Sequence, residues 1–249
     1  MVEMNLIMPM AGRGSRFAAK GIDAPKPLID LFGRPFFWWA VESVRKTFIL
    51  KDIVFVILDE HKAKFNIDKI ILGYYPDAKI VSLPEVTSGA AETAWVGVNA
   101  INNDFPIAIN DCDHAFMCDA DGINIERFRG SDSGALMCFH SDSPAYSYVK
   151  ISDNGDLIGT VEKVVVSNYA IAGCYLFSSP KIFLEMYQEY VSNCQYNELF
   201  VSGLYNQMAS SGKKIHKIDL KSHATFGTPE ELDAISKTDF DIYLKWISN

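Results

Sequence analysis

The sequence lacks the features of several protein classes. No stretch approaches the roughly 18 consecutive apolar residues that a membrane helix needs, and its first residues lack the basic and apolar pattern of a secretory signal. The five cysteines include no C-x-x-C pair, which argues against a zinc knuckle and a disulfide framework. Acidic residues outnumber basic ones by 31 to 23, and the net charge of −8 argues against a general nucleic-acid binder. We therefore expect a cytoplasmic protein without membrane or nucleic-acid partners, whose cysteines are mostly buried.

Several familiar catalytic motifs are also absent. There is no G-x-S-x-G nucleophile elbow and no G-x-x-x-x-G-K-[ST] phosphate loop, and the five histidines show no metal-ligand spacing. Asp119-Ala120-Asp121-Gly122 is similar to the start of a calcium loop, but it lacks the glutamate of the twelfth position and therefore indicates a turn. Among the histidines we consider only His114 further as a site candidate, because it follows Asp113.

The apolar pattern predicts an α/β protein with one domain over 1–249. Up to about residue 130, strands alternate with helices, which is typical of an α/β layer fold. These strands are predicted at 5–10, 52–58, 79–83 and 106–110, and the helices at 35–45 and 92–100. Beyond that point strands follow one another, at 134–139, 148–151, 157–162 and 171–177. The chain then closes with helices at 180–194, 199–210 and from 228 onward, and with a strand at 214–219.

A glycine-containing turn, with Gly12 and Gly14, follows the first predicted strand. Glycine exposes backbone N–H groups and permits close approach of a phosphate. The third glycine of a dinucleotide fingerprint is replaced by Phe17, and no firm helix is predicted before Pro35, which argues against an NAD site. The alternative is an ordinary surface turn with incidental basic residues.

Two basic side chains accompany this turn. Lys26 stands between Pro25 and Pro27, which we expect to hold it on a stiff, extended backbone. Together with Arg16 it would supply fixed positive charge over a triphosphate in an otherwise acidic protein.

Two aspartates follow the predicted strand 106–110, at the end of a sheet where open α/β folds bind ligands. Residues i and i+2 of an extended chain project to the same side, so Asp111 and Asp113 can face one hard cation such as Mg²⁺. The alternative is an acidic turn, which is common after strands.

The order of these motifs resembles the nucleotidyltransferase (NTP-transferase) family, which includes the sugar-1-phosphate pyrophosphorylases. The motifs are G-x-G-S-R-F at 12–17, P-K-P-L at 25–28, the acidic corner at 110–113, E-K at 162–163 and F-G-T-P-E-E-L at 226–232. The resemblance covers nearly the whole chain and is closest to small bacterial members linked to capsule or lipopolysaccharide precursors. It implies a Rossmann-like, glycosyltransferase-A-type three-layer sandwich with a mixed, mostly parallel central sheet. It also implies NMP transfer from an NTP to a phosphorylated acceptor, with Mg²⁺ as cofactor and pyrophosphate as product.

The resemblance implies roles for individual residues. Arg16 would contact the β and γ phosphates, Lys26 the α-phosphate, Asp113 the metal and Lys163 the acceptor phosphate, and these four are the implied catalytic residues. The implied nucleotide contacts, in the NTP-binding half 1–130, are Met10, Ala11, Gly12, Gly14, Ser15, Ser88, Gly89, Ala90, Glu92 and Asp111. The implied acceptor contacts, in the half 131–249, are Glu162, Lys163, Asn197 and Glu198. Further candidates for the acceptor wall are Tyr146, Tyr148, Asn168 and Tyr169.

One departure from the family pattern concerns the metal. Thr225 stands where many members have a metal-binding aspartate, and threonine cannot replace that charge. Either Asp111 supplies the second carboxylate, or Asp113 holds the metal together with phosphates and water.

We therefore expect a Mg²⁺-dependent nucleotidyltransferase that loads UTP, dTTP or CTP onto a sugar 1-phosphate for surface polysaccharide synthesis. One alternative is a cytidylyltransferase for a non-sugar phosphate of the phosphocholine, phosphonate or phosphoramidate type. Others are an inactive nucleotide-sensing relative and a glycosyltransferase whose metal motif is Asp111-Cys112-Asp113. Trp38 or Trp246 could pack against a partner subunit in a homo-oligomer.

Overall fold

The computed structural model of the chain describes residues 2–118 and 133–248, without the side chain of Asp239. The turn predicted at Asp119-Ala120-Asp121-Gly122 and the boundary near residue 130 lie outside these residues. The helices are α1 (Ser15–Ala18), α2 (Phe36–Thr47), α3 (Asp59–Phe65), α4 (Ile67–Tyr74), α5 (Ala90–Val98), α6 (Pro180–Asn193), α7 (Leu204–Ser210), α8 (Pro229–Ala234) and α9 (Lys237–Ser248). The strands are β1 (Glu3–Pro9), β2 (Asp30–Leu31), β3 (Arg34–Pro35), β4 (Ile49–Leu58), β5 (Lys79–Leu83), β6 (Ile107–Asn110), β7 (His114–Met117), β8 (Ser133–His140), β9 (Ser147–Ile151), β10 (Leu157–Glu162), β11 (Tyr169–Phe177), β12 (Lys214–Asp219) and β13 (Ser222–Thr225).

A mixed sheet of nine strands forms the centre of the described residues. Its main path runs β10-β9-β11-β6-β1-β4-β5, and β8 pairs with both β11 and β12. Strands β6, β1, β4 and β5 pair in parallel. Strand β11 pairs antiparallel with β6, which joins the later part of the chain to the parallel strands. The predicted α/β class with a mixed central sheet is confirmed.

Helices cover both faces of this sheet because successive side chains of its strands point to opposite sides. On β1, Leu6 and Met8 pack in one core with α2 and α4, whereas Ile7 packs in the other with α5. Strand β4 is fully buried from Val54 to Leu58, which explains its almost unbroken run of apolar residues. The three-layer arrangement implied by the family resemblance is therefore confirmed.

A third apolar cluster attaches the closing helix α9 to α2. Trp39 of α2 is fully buried, its indole N–H donates to the carbonyl of Leu31 at 3.0 Å, and its ring centroid lies 4.6 Å from that of Phe240. The C-terminal segment is thereby fixed close to the N-terminal part of the fold.

We expect Trp39→Ala to lower the free energy of unfolding by about 3–5 kcal/mol, because the large cavity cannot collapse completely. Urea denaturation followed by circular dichroism measures this loss. Trp95→Ala is the matched control, since Trp95 is 37% exposed and should cost far less. Equal losses for the two variants would contradict the assigned packing.

The segment 14–35 contains more structure than the sequence predicts. Helix α1 begins directly after Gly14, whereas no firm helix was expected before Pro35. Lys26 begins a 3₁₀ turn, Lys26–Leu28, so its predicted extended backbone is wrong, although Pro25 itself is extended. Each element is a single turn, too short to produce a helical period in the sequence.

Two predicted helices have different limits. The helix expected at 199–210 begins later, with a 3₁₀ turn at Val201–Gly203 followed by α7, because the backbone of Leu199 bonds to Ser88 and Ala91 instead. The closing helix expected from Thr228 is divided into α8 and α9 by an extended residue, Ile235.

Two expectations from the composition concern the cysteines and membrane helices. Of the five cysteines, Cys112, Cys118, Cys138 and Cys174 are buried and Cys194 is partly buried, as expected. None of the helices within 2–118 and 133–248 is long and apolar enough to cross a membrane.

Candidate active site

A cavity of about 350 Å³ opens at the carboxyl ends of β1 and β6. The end of β1 and the following turn form one wall, and the loop before α5 forms another. Glu198 comes from a distant part of the chain. The lining residues are Pro9, Met10, Ala11, Gly12, Gly14, Lys26, Pro27, Val86, Thr87, Gly89, Ala90, Thr93, Asp111, Cys112 and Glu198.

The glycine turn and the predicted phosphate-binding lysine are in direct contact. Gly14 has φ +63°, and a Cβ at this position would lie 3.2 Å from Cβ of Lys26. Both a left-handed backbone and close packing therefore favour glycine. The backbone of the turn is held beside the lysine, as a phosphate site would require.

The loop before α5 is held by the segment around Leu199. A Cβ on Gly89, which has φ +151°, would lie 2.6 Å from the backbone N and O of Leu199. The N–H of Leu199 donates to the carbonyl of Ser88 at 2.9 Å, and the Glu92 carboxylate accepts the N–H of Ser88 at 2.6 Å. Glu198, implied to contact the acceptor, therefore lines the cavity of the implied nucleotide contacts.

Lys26 forms a partly buried ion pair with Asp113, with Nζ 2.8 Å from Oδ2. Burial favours the neutral form of each group, but their mutual attraction is stronger. The pKa of Lys26 therefore rises above its ordinary value, and that of Asp113 falls below its ordinary value. Both side chains are charged at neutral pH.

Glycines make room for the two carboxylates of the acidic corner. A Cβ on Gly173, with φ +71°, would lie 2.8 Å from Oδ2 of Asp111, and one on Gly227 would lie 2.3 Å from Oδ2 of Asp113. Burial raises the pKa of Asp111 to about 7, and the nearby Asp113 carboxylate adds to the shift. Asp111 is thus only partly ionised near pH 7, next to a carboxylate that is already paired with a lysine.

This corner offers the oxygen ligands that Mg²⁺ prefers, one or two carboxylates completed by phosphates and water. The part of the chain that the structure describes contains no cluster of three or more His, Cys, Asp or Glu side chains able to hold a metal alone. Asp111 and Asp113 are the carboxylates of this corner that could hold such a cation, with phosphates and water as its other ligands.

We expect Asp111→Asn to stabilise the protein by on the order of 2 kcal/mol at pH 8. The folded-state pKa of Asp111 is about 7, above the unfolded value of 3.8. The penalty of its charge is therefore full above pH 7, shrinks as the pH falls from 7 to about 4, and vanishes below. Urea denaturation at pH 5 and pH 8 checks this, with the exposed Asp77→Asn as control. A less stable Asp111→Asn variant at pH 8 would contradict it.

A second cavity of about 200 Å³ meets the first at Asp111. Strands β7 and β13, which the sequence did not predict, pair antiparallel and bring Thr225 opposite His114. Burial lowers the pKa of His114 to about 4, so this ring is neutral at physiological pH. The lining residues are Arg16, Asp111, Asp113, His114, Ala145, Tyr146, Ser147, Ile171, Ala172, Gly173, Tyr175, His223, Thr225, Gly227, Thr228 and Glu231.

None of the implied acceptor residues lines the second cavity, although Glu162 and Lys163 contact residues that do. The Glu162 carboxylate accepts hydrogen bonds from the hydroxyls of Ser147, at 2.6 Å, and Ser202. Lys163 is exposed, has φ +56°, and holds Nζ 5.6 Å from the centre of the Phe200 ring. Asn197 is exposed and lines neither cavity.

Some of the residues implied to contact the nucleotide do not line the first cavity. Arg16 lines the second cavity, although the resemblance implied contacts with the β and γ phosphates of the nucleotide. Ser15 is exposed at the start of α1, and Ser88 is exposed and does not line the first cavity, although its neighbours Thr87 and Gly89 do.

Other lining residues were not among the sequence candidates. In the first cavity one of these is Thr93, whose hydroxyl shares a hydrogen bond at 2.6 Å with that of Thr87, the first residue of the segment implied to contact base and ribose. In the second, Tyr175 and Glu231 were missed. The glycine within strand β11, Gly173, was a usable signal, because a glycine inside a strand often marks a close approach.

Comparison with known proteins agrees with this architecture. A sequence profile described as nucleotidyl transferase matches residues 5–241, nearly the whole chain. The chain belongs to the nucleotidyl transferase family. The family is one of enzymes that act on nucleoside triphosphates and sugar phosphates, so the resemblance inferred from the motifs is confirmed.

Two solved structures share the architecture of this transferase. A nucleoside-diphosphate-sugar pyrophosphorylase from Vibrio cholerae RC9 superposes with a TM-score of 0.76 and 25% identity, over 98% of this chain and 100% of that chain. The inositol-1-phosphate CTP transferase from T. maritima has a TM-score of 0.76 at 14% identity, over 99% and 96% of the two chains, and shares the fold. A search of curated protein sequences finds no significant match.

Proposed function

We propose that this transferase moves NMP from an NTP to a sugar 1-phosphate and releases pyrophosphate, in a Mg²⁺-dependent reaction. The Lys26–Asp113 ion pair carries the proposal, because it lies at the junction of the two cavities. In this assignment the nucleotide occupies the first cavity and the acceptor enters the second. Synthesis of a surface polysaccharide precursor is the process that the family resemblance suggests.

The reaction needs positioning and charge neutralisation more than acid-base chemistry. An oxygen of the acceptor phosphate bonds to the α-phosphorus, the bond from that phosphorus to the bridging oxygen breaks, and pyrophosphate leaves with the electron pair. The second pKa of a phosphate monoester is about 6, so the attacking oxygen is already anionic at neutral pH. The neutral, buried His114 is consistent with this reaction, which needs no histidine base.

The chain's own residues would share the remaining tasks. The backbone of Gly12 and Gly14 binds phosphate oxygens, and Lys26 stabilises the charge that grows at the α-phosphate. Lys163 at the edge of the second cavity is available to an incoming phosphate. Mg²⁺, when bound, supplies further charge neutralisation, and Asp111 and Asp113 would hold it.

A second candidate is a cytidylyltransferase for a small non-sugar phosphate. The size and lining of the second cavity favour it, since about 200 Å³ bounded by Tyr146, Tyr175 and Glu231 suits a compact acceptor. Both candidates use the same groups for the transfer and differ only in what the second cavity accepts.

A pyrophosphate-release assay separates these functions. UTP, dTTP, CTP, ATP and GTP are each combined with glucose 1-phosphate, inositol 1-phosphate, phosphocholine and phosphoethanolamine, with Mg²⁺ or with EDTA. Turnover with glucose 1-phosphate supports the first candidate, and turnover with CTP and phosphocholine or phosphoethanolamine supports the second. Nucleotide binding by calorimetry without turnover in any combination would overturn both and indicate a regulatory relative.

A further inference from the structure

A chain of hydrogen bonds connects the N-terminus of α8 to the wall of the second cavity. The Tyr146 hydroxyl donates to Oε1 of Glu231 at 3.3 Å, and the Thr225 hydroxyl donates to Oε2 of Glu231 at 3.1 Å. All three side chains line the cavity. The residue that stands in place of the family's usual aspartate, Thr225, is therefore bonded to a carboxylate from another position.

Glu231 does more than a capping residue requires. Its Oε2 accepts the N–H of Thr228 at 3.0 Å, and its own N–H donates to the Thr228 hydroxyl at 3.2 Å, which together form a capping box. The capping box uses Oε2 alone. Oε1 is left for Tyr146, which comes from a different element of the fold.

Tyr146 is fixed at its backbone as well. Its carbonyl accepts the N–H of Lys163 at 3.1 Å, where Lys163 has φ +56°, a region that non-glycine residues seldom adopt. The next residue, Ser147, donates its hydroxyl to the Glu162 carboxylate at 2.6 Å. The cavity wall at 146–147 is thus joined to Glu231 on one side and to Glu162 and Lys163 on the other.

The direction of the Tyr146–Glu231 bond has a chemical consequence. A tyrosine hydroxyl has one proton, and a carboxylate can only accept. With that proton donated to Glu231, the phenolic oxygen has only lone pairs left, and its side chain lines the cavity. It can then accept a hydrogen bond from a hydroxyl or an ammonium group of the molecule bound there, but it cannot donate one.

We propose that Glu231 is a positioning residue for the acceptor. By fixing the Tyr146 hydroxyl as a hydrogen-bond acceptor, it selects acceptor phosphates that carry a hydroxyl or ammonium donor opposite Tyr146. The inference rests on the proposed function, because it assumes that the second cavity holds the acceptor. It adds to that function the residue that sets the polarity of the cavity wall.

Steady-state kinetics test this with glucose 1-phosphate, or with phosphoethanolamine if the wild-type protein turns it over faster. The quaternary ammonium of phosphocholine has no N–H to donate, so turnover with phosphocholine alone would overturn the inference. Glu231→Gln and Tyr146→Phe should each raise the acceptor KM by about tenfold, because the first removes the carboxylate that fixes the Tyr146 proton and the second removes the oxygen that accepts from the bound molecule. The KM for the NTP should stay within about twofold. The double variant should be no worse than the poorer single variant, because both changes remove the same interaction.

Two comparisons separate positioning from capping. Tyr146→Phe leaves every bond of the capping box intact, so it also serves if Glu231→Gln does not fold. Ser179→Ala is the matched control, since it removes the N-cap of α6, whose hydroxyl accepts the N–H of Ile182 at 3.3 Å. It should lower Tm by about 2–4 °C without changing the acceptor KM.

The outcomes are distinct. An unchanged acceptor KM in Tyr146→Phe and in folded Glu231→Gln, or additive effects in the double variant, would overturn the inference while the proposed function stands. A wild-type protein that releases no pyrophosphate with any pair of substrates would instead overturn the proposed function, and the inference with it.

Discussion

Lys26→Met is expected to lower the kcat of pyrophosphate release by at least about a hundredfold in a protein that remains folded. Lys26 contacts the acidic corner directly, with Nζ 2.8 Å from Asp113, and its raised pKa keeps it charged over the whole physiological range. Methionine preserves the length of the side chain and removes the charge. The group that would stabilise charge at the α-phosphate is then lost.

The same variant should show a change in stability with a defined pH dependence. Lys26 holds the pKa of Asp113 below its ordinary value, and this interaction stabilises the fold above the unfolded pKa of about 3.8. Stability from this source is lost as the pH falls through the folded pKa. Lys26→Met should therefore destabilise the protein at pH 7, and the loss should shrink progressively as the pH falls below 3.8.

Lys20→Met is the control for Lys26→Met. Lys20 lies in the same segment but is exposed, with Nζ 3.5 Å from Glu230, and an exposed pair of this kind contributes little. Its kcat should match that of the wild-type protein. If Lys26→Met turned over normally, the assignment of the two cavities to nucleotide and acceptor would be wrong.

The fold could be predicted from the sequence to a large extent because its signals are local. The apolar runs of β1 and β4 each follow from burial on both faces of the sheet, and both strands overlap their predicted limits. The single turns at α1 and Lys26–Leu28 are too short to produce a helical period of apolar residues in the sequence. Strands β7 and β13 have only four residues each, and their pairing depends on contacts between distant parts of the chain.

In the candidate site, too, the local motifs could be predicted and the packing of distant segments could not. Lys26 and Asp113 could be named from their motifs, and the structure brings them within hydrogen-bonding distance. Glu198 was expected beside the acceptor, yet it lines the first cavity because Gly89 packs against the backbone of Leu199. Motifs report which side chains carry chemistry. Which cavity a side chain enters depends on how distant segments pack.

Gly227→Ala is the second change with a large expected effect, since a Cβ there would lie 2.3 Å from Oδ2 of Asp113 and 3.1 Å from its Cγ. The glycine cannot easily move away. The N–H of its neighbour Phe226 donates to the carbonyl of Asp113 at 2.9 Å, and the ring of Phe226 packs 4.5 Å from that of Phe36. The carboxylate must therefore move, which breaks its bond with Lys26.

We expect Gly227→Ala to lower kcat by about a hundredfold or more and to weaken the binding of Mn²⁺, used as a probe for Mg²⁺, in the presence of an NTP. Kinetics and electron paramagnetic resonance measure the two effects separately. Gly73→Ala is the matched control, because Gly73 lies in α4 with nothing within 4 Å of its Cβ position, and alanine there should stabilise the helix by up to about 1 kcal/mol. A Gly227→Ala variant with normal kcat and normal Mn²⁺ binding would show that the position of the Asp113 carboxylate is not critical. Because the substitution alters no charged group, a loss of activity would instead assign the role of this glycine to the space it leaves for the carboxylate.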